Sequence, residues 1–433
     1  MKAKSYDIDE RFVFSDGAKK SVFTILGIGL VFFVIGILSL AFGSESGGTE
    51  HALAFAGGEG GGEHAHGHAY HWTTRIKVNL WINNVFFIGL SIIGLFFFSI
   101  QYAAHAGWSA GIKRVPEAFG SFLPIGGVLM LVVFAFSYHE IFHWTDASLF
   151  DKTSPNYDEI IAGKQPFLNM PFYVGRMVLF LVVWYLFYLA LRKQSLLEDI
   201  EGGTKRFWKM KTIATLFIIF FAISSSVSAW DWVMSIDTHW FSTMFGWYVF
   251  ASWHVSGLAA ISLSLVFLKE AGYLKFMTES HFHDINKLVF GFSIFWTYIW
   301  FGQFILIYYA NIPEETIYFV ERLESDHYSK FIFFNLFINF FFPFLAFMTR
   351  DAKRKMTIIK IVCIAVLIGH WFDFYLMITP GTLKEHGGLG FLEVGLAMIY
   401  LATFVYVVAN TLSKAPLIAK NHPMLQESLH HSI

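Results

Sequence analysis

An apolar run of about 20 residues or more recurs ten times along this chain, and that recurrence decides the class of fold. The runs are residues 21–43, 79–104, 116–142, 171–191, 212–232, 241–268, 285–311, 329–349, 357–378 and 390–412. A lipid interior offers unpaired backbone groups no partner, so runs of this length read as membrane-crossing helices. Only 15% of the 433 residues are charged, too few for a soluble chain of this size. The 51 Phe and 14 Trp suit lipid-facing surfaces and interfacial belts. A net charge of -1 argues against a nucleic-acid partner. The first 20 residues are polar, so the first run reads as a retained span rather than a cleaved signal. The expected fold class is an all-α polytopic membrane protein with about ten transmembrane helices.

Charge orients the spans. Of the Lys and Arg outside them, with Lys330 at the outer start of the eighth run counted among them, 21 fall on the side of the termini and 7 on the other. Cytoplasmic loops carry the basic excess, so residues 1–20 and 413–433 are expected in the cytoplasm, beneath a bacterial inner membrane. Residues 44–78 then form an outer linker rich in Gly and His. Its His64, His66, His68 and His71 offer adventitious metal ligands without fixed geometry. Residues 143–170 form a long outer loop and residues 192–211 a basic inner one. The third span carries Pro116 in its first turn and Pro124 as an expected kink.

The fifth and ninth spans end alike, in SAWDWVMSI and HWFDFYLMI. Each sets an Asp between two aromatics, Asp231 and Asp373, 142 residues apart, with a Met following. The match suggests two four-helix bundles, residues 79–232 (spans two to five) and 233–378 (spans six to nine). They would be related as a parallel repeat, with the first span and the tenth (390–412) peripheral.

Residues 223–254 hold Asp231, Asp237, His239 and His254 among five Trp, at or near membrane depth. Ionisable groups there are expensive and call for a functional role. His139, Glu140 and His143 end the third span, Arg176 begins the fourth, and Gln303, Asn335 and Asn339 sit in the seventh and eighth. His370 and Asp373 lie three apart on the ninth, and Glu393 opens the tenth. By the orientation above these residues share the outer half; only Gln101 and His105 compare on the inner side. Six of them (Asp231, Asp237, His239, His254, His370 and Asp373) are expected to form one linked polar system, with Glu140 and Arg176 nearby. Such a set suits quinol oxidation. A flat ring wants aromatic walls, its hydroxyls want hydrogen-bond partners, and two protons must leave through a His or carboxylate.

Two other chemistries compete. His139-Glu140-Ile141-Phe142-His143 is a formal H-E-x-x-H, the zinc-protease arrangement when helical. His254 and His370 are a candidate pair for a bis-histidine haem, although no helix pair carries the two histidines each that a two-haem bundle needs. The single Cys363 excludes a disulfide framework, an iron–sulfur cluster bound by this chain alone and a C-x-x-C-H haem attachment.

Ten spans, a duplicated four-helix unit and the run AWDWVMSIDTHWFSTMFGWYVF resemble the NrfD-like (polysulfide reductase membrane subunit) family. The likeness is greatest to the second, shorter such subunit of alternative complex III, a quinol:cytochrome c oxidoreductase of the respiratory chain, and it covers residues 21–412. It implies no cofactor bound by this chain, with menaquinol or another quinol as substrate. It implies iron–sulfur clusters and c-type haems in partner subunits, a second NrfD-like subunit beside this one, and a terminal oxidase as a further candidate partner. Two roles stay open: a quinol-binding redox subunit, or a proton-conducting or structural subunit beside the quinol site. On either, no catalysis is expected of the chain alone.

Overall fold

The computed structural model describes residues 9–46 and 71–432, so His64, His66 and His68 lie outside the described residues. Among these, ten helices are long and apolar enough to cross a membrane. They are α1 (Asp16–Ser46), α2 (Trp72–Ala103), α3 (Arg114–Ile141), α4 (Met170–Glu201) and α5 (Lys205–Trp232), then α6 (Phe245–Glu270), α7 (Glu279–Ala310), α8 (Ser329–Ala346), α9 (Met356–Leu383) and α10 (Phe391–Leu412). The chain is an all-α polytopic membrane protein.

Helices α2 and α6 form the centre, with 89% and 83% of their apolar stretches buried, against 11% for α1. Glycine lets them close on each other. Gly89 of α2 faces the indole of Trp253 on α6, and Gly257 of α6 faces Ile93 on α2. Any Cβ at either position would overlap its neighbour. Trp253 donates its indole N–H to the Val85 carbonyl at 3.1 Å. Helix α2 also packs on α3, α5, α9 and α10, and α6 on α5, α7 and α9. The outlying α1 lies along α10, where Gly36 sits against the backbone of Leu392 and Gly395 against that of Phe33.

The two ends of the described chain share one face. The Leu274 amide donates to Glu10, Thr278 Oγ1 donates to the His431 carbonyl, and Arg11 bridges to Pro416. The far face carries His71, whose Nδ1 accepts from the Thr73 amide at the start of α2. It also carries short helical turns between α3 and α4, and the surface helix Pro313–Leu323.

Two expectations about the spans need correction. The basic stretch 192–211 is not a loop, because α4 continues to Glu201 and α5 starts at Lys205. Hydropathy fades where these helices leave the lipid, but their helical hydrogen bonding does not. Pro124 does not kink a continuous helix; a 3-10 turn, Gly120–Phe122, breaks α3 just before it. In α8 a π turn, Phe337–Phe341, precedes Pro343. Pro343 has no N–H for the Asn339 carbonyl four residues back, and the wider turn accommodates the lost bond.

Candidate functional site

Asp373 is fully buried on α9 and is reached by donors from three other helices. The Tyr248 hydroxyl of α6 donates to Oδ1 at 2.5 Å. The Trp296 indole of α7 donates to Oδ2 at 2.9 Å. The Asn335 amide of α8 donates to Oδ1 at 2.8 Å, and Asn339 in turn donates to the Asn335 carbonyl oxygen at 2.7 Å. The π turn and Gly369 give Asn339 its place, since a Cβ on Gly369 would lie 2.2 Å from Asn339 Oδ1. His370, one turn back on α9, has Nδ1 at 3.9 Å from Asp373 Oδ2 and 3.0 Å from the Ser252 hydroxyl. Trp296 packs its edge on the same imidazole. Among the described residues no Lys or Arg lies within ion-pair distance of Asp373. Two buried atoms here, His370 Nε2 and Asn339 Oδ1, have no hydrogen-bond partner among the described residues.

Asp231, its counterpart in sequence, has the opposite surroundings. Arg176 grips it with two bonds of 2.8 Å, Nε to Oδ2 and Nη2 to Oδ1. The guanidinium lies against the rings of Phe167 and Phe172, at 4.0 and 4.1 Å. Tyr173 and Ser235 donate to the Asp231 carbonyl. A buried carboxylate paired bidentately with Arg is held as a fixed ion pair.

The six residues expected to act as one linked system therefore divide. His370 and Asp373 do meet. The rings of Trp232, Trp253 and Phe374, with centroids 6.4 and 6.1 Å apart, join the Asp373 and Asp231 surroundings as an apolar wall. Asp237 pairs with Arg322 of the surface helix at 3.0 Å, and Arg322 also donates to the carbonyls of Leu376 and Met377. His239 pairs with Asp158 at 2.6 Å on the far surface. Burial there would raise the Asp158 carboxyl, but the Ile161 and Ile160 amides and His239 hold it below the usual carboxylate range. His254 stands apart, enclosed by Phe96, Phe250 and Phe292. Interfacial position and aromatic packing, rather than a common network, account for the shared depth of these groups.

Of the remaining candidates, Glu140 and Glu393 have basic partners close by. Glu140 accepts two bonds from Lys77, at 2.6 and 2.8 Å. Helix α3 ends at Ile141 and Phe142 is extended, so His143 leaves the helical face of His139, and the H-E-x-x-H spacing loses the geometry zinc needs. Glu393 is bound by Arg75 and Asn79 at the far-face start of α10. Gln303 is buried on α7. Among the described residues no three His, Cys, Asp or Glu side chains gather around one point.

Sequence reasoning missed the terminal-face half. A buried ion network there joins Lys113 to Glu198 at 2.5 Å and to the Tyr102 hydroxyl at 2.6 Å. Beside it Arg114 bonds Glu117, Ser195 and Asp199, and Arg192 reaches Glu117 at 2.7 Å. The expectation that only Gln101 and His105 were comparable on this side is overturned. The signal was present: Arg192, Ser195 and Asp199 follow helical spacing, but only once α4 is extended past residue 191. A small cavity of about 10 Å³, enough for one water, lies against Lys113, Gln101 and His422.

No protein-family model and no curated protein sequence matches the chain.

Proposed function

We propose that the chain is a membrane subunit of a respiratory quinol:cytochrome c oxidoreductase of the alternative complex III type, with Asp373 as its proton-accepting centre. The observation that carries this reading is the contrast between two buried aspartates: Asp231 is neutralised by Arg176, whereas Asp373 is served by uncharged donors alone. Three uncharged donors hold the carboxyl group in place without supplying a fixed counter-charge. A group of that kind can take a proton as quinol gives up two electrons and two protons. The electrons would pass to iron–sulfur or c-haem groups of partner subunits. His370, on the same helical face, is the next acceptor.

The helix packing supports the repeat reading. Contacts of α2 with α3 and α5, and of α4 with α5, are matched by those of α6 with α7 and α9, and of α8 with α9. The Gly89–Trp253 and Ile93–Gly257 contacts run in step along α2 and α6, which places the first helix of each proposed unit parallel and side by side. The test is quinol:acceptor turnover of the assembled complex carrying Asp373→Asn. Wild-type turnover would refute the assignment.

The terminal-face network favours a second reading. Lys113, Glu198 and Tyr102 carry polar groups into the half where a proton-conducting subunit would need them. On that reading Glu198→Gln abolishes proton movement while quinol still reduces the acceptor.

Orientation belongs to the same proposal: the termini face the cytoplasm of a bacterial inner membrane. Cys363 is buried, so a Cys363→Ala background suits labelling. A cysteine at Lys152 reacts with an impermeant maleimide from outside, and one at Thr204 reacts only after the membrane is opened. The reverse pattern would invert the topology.

A further inference from the structure

Near the start of α5 an open groove of about 320 Å³ is lined by Trp208, Lys211, Thr212, Thr215 and Leu216. The spacing of three and four residues places them on one helical face. The Lys211 ammonium lies over the Trp208 ring at 5.1 Å, and among the described residues it faces no carboxylate. The Thr212 and Thr215 hydroxyls donate to carbonyls one turn back, which leaves their lone pairs and the Lys211 ammonium toward the groove. Beyond Leu216 the face continues through Ile219 and Ile223. These three side chains and Trp208 are each more than half exposed.

We infer that this face binds an anionic phospholipid, its phosphate on Lys211 and one acyl chain along Leu216, Ile219 and Ile223. Charge decides the headgroup. The cation sits at the end of the bundle with the Lys/Arg excess, and Lys205 and Lys209 precede it by six and two residues on the same helix. Length decides the tail. From Lys211 to Ile223 the helix rises about 18 Å. That is close to one leaflet of a hydrocarbon core roughly 30 Å thick. Trp208 then stands at headgroup level, where indoles concentrate. A free phosphate would use only the upper end of this face.

Native mass spectrometry of the full chain, with the subunits that copurify, tests the inference. The protein is equilibrated in micelles with phosphatidylglycerol or with phosphatidylcholine of the same acyl chains. Wild type is expected to retain one more phosphatidylglycerol than phosphatidylcholine. Lys211→Gln loses about fivefold of that preference. Lys211→Arg keeps it, and excess inorganic phosphate leaves the adduct in place. Shortening the tail contacts with Leu216→Ala and Ile219→Ala weakens both lipids alike. Equal retention of the two lipids by wild type, an unchanged preference in Lys211→Gln, or displacement by phosphate would each overturn it.

Discussion

Asp373→Asn is expected to lower quinol:acceptor turnover roughly a hundredfold, the low end of what a general base contributes. Asn keeps the size of the side chain and its carbonyl oxygen can still accept from Tyr248 or Asn335. The amide cannot take a proton. It also turns one donor toward Trp296, whose indole N–H is itself a donor, so one short contact must open. Assembly and partner content should survive, since no ion pair is lost. His370→Gln should cost less alone and should be non-additive with Asp373→Asn, because the two groups share one network. A complex that turns over normally with Asp373→Asn would leave Asp373 as packing.

The spans were legible because hydropathy over about 20 residues is a long signal that no single residue can spoil. Their ends were not. Lys205, Arg206 and Lys209 look like a loop by charge, yet they continue α5 beyond the lipid. Residue depth followed from span order, so Asp373, His370 and Asn335 were placed together correctly as to level. Partnership was not legible. Nothing local tells that Arg176 reaches Asp231 on the neighbouring helix, or that Trp296 and Tyr248 reach Asp373 from two others. Equal depth was read as one network, and the aromatic wall of Trp232, Trp253 and Phe374 was invisible to that argument. The terminal-face ions were discounted for a related reason. Lys113 and Arg114 sit in a short polar connection, and such residues are usually solvated, whereas here α4 extends over them and buries them.

Arg176→Leu is expected to destabilise the chain by about 3–5 kcal/mol, because it leaves the Asp231 carboxylate buried and unpaired. Asp231→Leu should cost a comparable amount by stranding the guanidinium, which loses both 2.8 Å bonds and keeps only the Phe167 carbonyl at 3.1 Å. The double variant removes both charges together, and the aromatic surroundings of Phe167, Phe172 and Tyr173 can accept two aliphatic side chains. It should recover most of the loss, so the coupling between the two substitutions is large and favourable. The unfolded fraction in a series of denaturing and mild detergents reads these differences. Turnover of the double variant then separates the two aspartates. If Asp231 is a fixed structural ion pair, the refolded double variant retains quinol:acceptor turnover while Asp373→Asn does not. A double variant that folds like wild type but has lost turnover would transfer the proton-accepting role from Asp373 to the Arg176–Asp231 pair.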